Sequence, residues 1–170
     1  MEPGKTSAGK DDRPRVDDRD PADAIQEMVS HVLGLAETWV AWDGKPVAID
    51  DREYTPHKAI RRVADHLIDH LAQLETHLAA VRPLPDGWHA SSMTTPADLA
   101  PFQPDDLDEA RSRLTRLAQI WRIRLASIPG REMDSATGDA YTPREMVFHL
   151  LESTYYADSI GAISRRPKPD

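Results

Sequence analysis

Four apolar stripes at helical spacing, three helix openings of the form Asp-Pro or Thr-Pro, and no strand-like alternation within those stripes predict an all-α, four-helix bundle. The 170 residues suffice for one domain whose core needs no staples. Asp20 offers an N-cap and Pro21 a first helical residue, after which Ile25, Met28, Val32, Leu35 and Trp39 line one face to about Trp42. Gly44, Pro46 and the Asp50-Asp51 pair then read as a connection across the bundle end. Thr55-Pro56 opens a second helix carrying Ile60, Val63, Leu67, Leu71, Leu74, Leu78 and Val81, which stops where Arg82 meets Pro83.

A long Pro-, Ser- and Thr-rich connection from Pro83 to Pro104 also holds Trp88, Met93, Leu99 and Phe102, and these apolar residues are expected to pack across an opening as a wall or lid. The third helix presents Leu107, Ala110, Leu114, Leu117, Trp121, Leu125 and Ile128, closed by Pro129-Gly130. The fourth begins at Thr142-Pro143, with Glu145 at capping-box spacing, and is expected to reach about Ile163. Residues 1–20 contain one Val among Gly, Lys, Asp, Arg and Pro, a composition too poor in apolar surface to offset the entropy of ordering. The expected organisation is a disordered tail over 1–20, the bundle over 21–164 and a short C-terminal tail over 165–170.

Composition excludes several classes of function. With no cysteine there is no thiolate nucleophile, Cys-based zinc site or disulfide, so any metal centre must draw on His, Asp or Glu. A formal charge of -8 argues against a nucleic-acid binder. No apolar run approaches the roughly 18 residues of a membrane span, and residues 1–20 lack a signal-like apolar stretch, so a cytoplasmic protein is expected.

The candidate chemistry lies with three histidines. His66 and His70 are four apart in the second helix, beside the Leu67, Leu71, Leu74 seam, so their rings project one turn apart from the edge of the core. His149 stands in the fourth helix among Met146, Val147, Leu150 and Leu151. Three imidazoles from two helices would hold a divalent ion with a coordination position left open, and Asp65, Asp69, Glu152 and Tyr156 are near enough in sequence to support them. Leu67 stands where a zincin would carry its general base, which argues against a metalloprotease. His31, His57, His77 and His89 read as surface or capping residues, and Trp39, Trp42 and Trp121 as core and rim.

At these residues the chain resembles the DinB-like superfamily of four-helix bundles, which includes metal-dependent hydrolases and thiol-dependent transferases and isomerases. The run His66-Leu-Ile-Asp-His70-Leu-Ala-Gln73-Leu74 looks like its helix with two ligands four apart, and Tyr141-Thr-Pro-Arg-Glu-Met-Val-Phe-His149-Leu like its single-ligand helix. The resemblance implies His66, His70 and His149 as metal ligands, a divalent transition metal such as zinc or nickel, and a low-molecular-weight thiol such as mycothiol as cosubstrate. The order of the two ligand helices is reversed relative to the family. Either the helical hairpins are permuted, or the conventional order places Arg62, Ser153 and Ala157 at the ligand positions and the site is dead. The first functional reading is a transferase or hydrolase acting on a small molecule; the second is a non-catalytic bundle that forms a homodimer or docks another protein.

Overall fold

A computed structural model describes residues 13–82, 92–136 and 140–164. Trp88, His89 and both expected tail ends, 1–12 and 165–170, lie outside the described residues. The chain is mostly helical.

Helix α1 spans Pro21–Ala36, capped by the Asp20 carboxylate, which accepts the backbone N–H groups of Ala22 and Asp23. It buries Ile25, Met28, Val29 and Val32 but ends at Ala36 rather than near Trp42. The Thr38 hydroxyl donates to Leu35 O at 2.7 Å, a side-chain bond that competes with helix continuation. A 3-10 turn over Trp39–Ala41 follows. It lays Trp39 into the core at 0% exposure, with its indole N–H donating to Gly161 O at 2.9 Å.

The expected connection after Trp42 contains an antiparallel hairpin, β1 (Val47–Ile49) with β2 (Arg52–Tyr54), pairing Val47 with Tyr54. Three-residue strands are too short to declare a period of two, so the pattern was invisible in the sequence.

Helix α2 spans Pro56–Leu78 and buries Ile60, Val63, Leu67 and Leu74, while Leu71 and Leu78 are only partly covered. It stops before Arg82. Ala80 takes φ 54, Ala80 N–H donates to His77 O, and Val81 N–H donates to Thr76 O. This is a Schellman closure in which alanine occupies the left-handed position that glycine ordinarily fills, and it leaves Val81 58% exposed beyond the helix.

The described part of the long connection is tied to the start of α2. Asp98 pairs with Arg61 at 2.7 Å, the Thr55 hydroxyl donates to Asp98 O at 2.6 Å, and the buried Lys58 ammonium donates to Glu53 O and Thr94 Oγ1. Phe102 reaches the core against Trp39, but Met93 and Leu99 are 54% and 46% exposed, contrary to the expectation that they pack across an opening. The polar ties and Phe102, rather than Met93 or Leu99, hold this stretch.

Helix α3 (Pro104–Ala126) buries Leu107, Ala110, Leu114, Ala118, Trp121 and Leu125, with Ala118 rather than Leu117 facing inward. The Trp121 indole N–H donates to Leu67 O on α2 at 3.0 Å, and Arg124 pairs with Glu75 across the same two helices. A single turn, α4 (Gly130–Met133), precedes α5 (Pro143–Leu151), whose capping box is formed reciprocally by Thr142 and Glu145. The expected fourth helix does not run unbroken to Ile163. The Ser153 hydroxyl donates to Leu150 O at 2.7 Å, a 3-10 turn occupies Glu152–Thr154, and one last turn, α6, covers Tyr155–Asp158. Ahead of α1, Arg13 reaches Glu145 at 2.6 Å.

Helix α1 lies against α3 and α5, and α2 lies against α3, α5 and α6, around a shared core. Among the described residues no helix is long and apolar enough to cross a membrane.

Two substitutions test this packing. Ala80→Gly relieves the left-handed strain at the end of α2 and raises stability by about 0.5–1 kcal/mol, read as a higher urea midpoint; a lower midpoint contradicts the closure. Trp121→Phe removes the bond to Leu67 O and leaves a void, lowering stability by about 1–3 kcal/mol with helicity retained. An unchanged melting temperature contradicts the indole's role.

Candidate metal centre

Burial of Leu67 fixes the site. With Leu67 turned into the core, Arg62, His66, His70 and Gln73 fall together on the adjoining flank of α2, at steps of four, four and three residues. Burial of Met146, Val147 and Leu150 turns His149 of α5 toward that same flank.

One ligand nitrogen from each of His66, His70 and His149 lies within 4.8 Å of the others. The ring centres of His66 and His70 are 5.5 Å apart, those of His66 and His149 6.1 Å, and those of His70 and His149 5.0 Å. His66 and His149 are partly exposed, and His70 is the most enclosed of the three. Two aromatic rings flank them, Tyr156 beside His66 at 6.1 Å and Tyr141 beside His149 at 5.3 Å.

Each imidazole has a neighbour at Nδ1. His70 Nδ1 lies 2.7 Å from Gln73 Oε1, and His149 Nδ1 lies 3.0 Å from Glu152 Oε2. Both partners are acceptors, which place the proton on Nδ1 and leave the Nε2 lone pair for a ligand. His66 differs, with Arg62 Nη2 3.4 Å from its Nδ1. Burial, reinforced by the nearby charges of His70, Arg62 and His149, pushes the His66 pKa down from 6.5 to about 4. His66 is therefore neutral at pH 7, the form that binds metal.

Of the supporting residues expected from the sequence, Glu152 holds His149, Tyr156 packs near His66, and Asp65 pairs with Arg62 at 3.5 Å. The roles of Gln73 and Arg62 were missed, although His70–Gln73 and Arg62–His66 have the three- and four-residue spacings of helical neighbours. Arg62, Ser153 and Ala157, the ligand positions of the conventional family order, are all buried. Among the other histidines, His31 pairs with Asp158 on the surface. His57 sits partly covered against Phe102, 3.7 Å from Asp106, in a cleft of about 220 Å³ between α2 and α3, and so is less superficial than expected.

The donor set suits a borderline divalent ion. Two imidazole nitrogens on a tetrahedral ion at about 2.0–2.1 Å are roughly 3.4 Å apart, so no pair here needs to close by more than about 1.4 Å. Three neutral nitrogen ligands leave a coordination position for a water or a substrate atom. Comparison with known proteins adds no relative, since no family model, no curated protein and no solved structure matches the chain.

The depressed pKa has a stability consequence. Between about pH 4 and 6.5 the unfolded chain holds a proton at this position that the folded chain does not, so stability rises with pH across that window and falls on acidification. In metal-free protein, His66→Asn removes this component. The loss of unfolding free energy from pH 7 to pH 4 is expected to be smaller in the variant by on the order of 2 kcal/mol, allowing for partial exposure. Parallel pH profiles for the two proteins contradict the assignment.

Proposed function

We propose that the chain is a metal-dependent enzyme of the DinB-like type, a four-helix bundle that holds a divalent transition metal, zinc or nickel, on His66, His70 and His149. Its substrate is a small molecule, and the reaction is thiol transfer or hydrolysis. The observation that carries this reading is the convergence of three ligand nitrogens from α2 and α5 within 4.8 Å.

The residues of the chain divide the work. Gln73 and Glu152 fix the ring orientations of His70 and His149, and the low basicity of His66 keeps it unprotonated at neutral pH. Tyr141 and Tyr156 supply walls on either side. Bound there, a divalent ion supplies Lewis acidity, favouring the ionised form of a coordinated water or thiol. This matters in a chain with no cysteine of its own, where the thiol must arrive as a cosubstrate. A cytoplasmic location, where low-molecular-weight thiols are kept reduced, fits this reading.

A second reading, a non-catalytic bundle that dimerises or docks another protein, is favoured by Ile68, Ile120 and Ile123, which are 49%, 46% and 64% exposed on α2 and α3.

Metal content separates the two. Untagged protein purified without chelator is expected to carry close to one equivalent of a divalent transition metal, and His66→Ala, His70→Ala and His149→Ala each to lose it with helicity retained. Stoichiometric metal in all three variants, or none in the parent protein after reconstitution, overturns the first reading.

A further inference from the structure

Arg62 is the unusual neighbour of the three-histidine group. Its side chain is 3% exposed, its Nη2 lies 3.4 Å from His66 Nδ1, its guanidinium carbon sits 5.5 Å from the centre of the Tyr156 ring, and its Nη1 is 3.5 Å from Asp65. Burying a guanidinium is unfavourable by several kcal/mol, and a well-packed apolar residue of similar volume is often neutral or better for stability. Packing alone does not account for a cation at this place.

Its hydrogen-bonding character does not match the histidine it touches. Gln73 and Glu152 accept from His70 and His149, as the neighbours of ligating imidazoles do, whereas a guanidinium carries only donors. If His66 ligates through Nε2, its Nδ1–H faces the N–H of Arg62. If it ligates through Nδ1, the ion itself lies beside the guanidinium. In both arrangements loading the site sets positive groups against each other, and an anion placed between them removes the conflict.

We propose that the metal-loaded site takes a small carboxylate anion and that Arg62 is the residue that selects it. This rests on the reading of His66, His70 and His149 as ligands and names the class of molecule they receive. A planar two-oxygen anion matches the guanidinium fork, with one oxygen toward Arg62 and the other toward the ion or the His66 ring. The fork has five donors and can serve more than one acceptor, so a ligand oxygen and Asp65 do not exclude each other. The Tyr156 ring lies within cation–π range of the guanidinium. Metal and carboxylate then bind with positive coupling, each tightening the other through Arg62.

The test measures Co(II) affinity by chelator competition on the full chain, with and without sodium acetate at constant ionic strength, in the parent protein and in Arg62→Gln and Arg62→Lys. Acetate is expected to tighten Co(II) binding by at least about 5-fold in the parent, and by less than about 2-fold in Arg62→Gln, which still binds one Co(II). Arg62→Lys keeps the charge without the fork and is expected to retain only part of the coupling, which also preserves the test if the Gln variant does not fold. Co(II) binding without an acetate effect in the parent, or with full coupling in a folded variant, overturns the role of Arg62 while leaving the ligand assignment standing. Failure of the parent to bind Co(II) overturns the ligand assignment and this inference with it.

Discussion

The contact on which the arrangement depends is Trp121 against the middle of α2. The indole is fully buried, and its N–H is directed at the carbonyl of Leu67, so the apolar drive that buries α3 and a directional bond act on the same turn. That turn carries His66. Once Leu67 faces inward, the helical period leaves no freedom in where the rest of α2 points. Arg62, His66, His70 and Gln73 must share a flank, and Arg61 must face the 92–99 stretch. The core and the candidate metal centre are thus two faces of one helix, separated by about 100° of rotation.

The other side of the centre is less regular. Helix α5 is only nine residues long and gives way after Leu151 to a 3-10 turn. That turn brings Glu152 onto the His149 ring and sends Tyr156 toward His66 and Arg62. An unbroken α-helix would carry these side chains at different angles. A local competition between the Ser153 hydroxyl and the helical ladder therefore shapes one wall of the site.

Much of this was legible in the residues themselves. The Asp20-Pro21, Thr55-Pro56 and Thr142-Pro143 openings appear where the capping rule places them, because N-cap chemistry is local and independent of the partners a helix later finds. The four-residue step from His66 to His70 and its position beside Leu67 were equally readable. What escaped was set by longer-range or finer competition. The hairpin strands are too short to reveal a period, and the end of α2 relies on an alanine in a conformation that only the surrounding chain can impose. Met93 and Leu99 are apolar yet exposed, because the loop that holds them is fixed by the Asp98–Arg61 pair and Lys58. Arg62 was hardest to foresee. Its meaning comes from which atom of which histidine it meets, and spacing does not specify that.

X-ray absorption at the metal edge of the zinc-loaded protein tests the central claim most directly, because it reads the atoms bound to the ion rather than the amount of ion carried. The account predicts a first shell with nitrogen at about 2.0–2.1 Å and the outer-shell scattering of three imidazoles, a pattern lost in His149→Ala. An oxygen-only first shell, or one unchanged by that substitution, would contradict it.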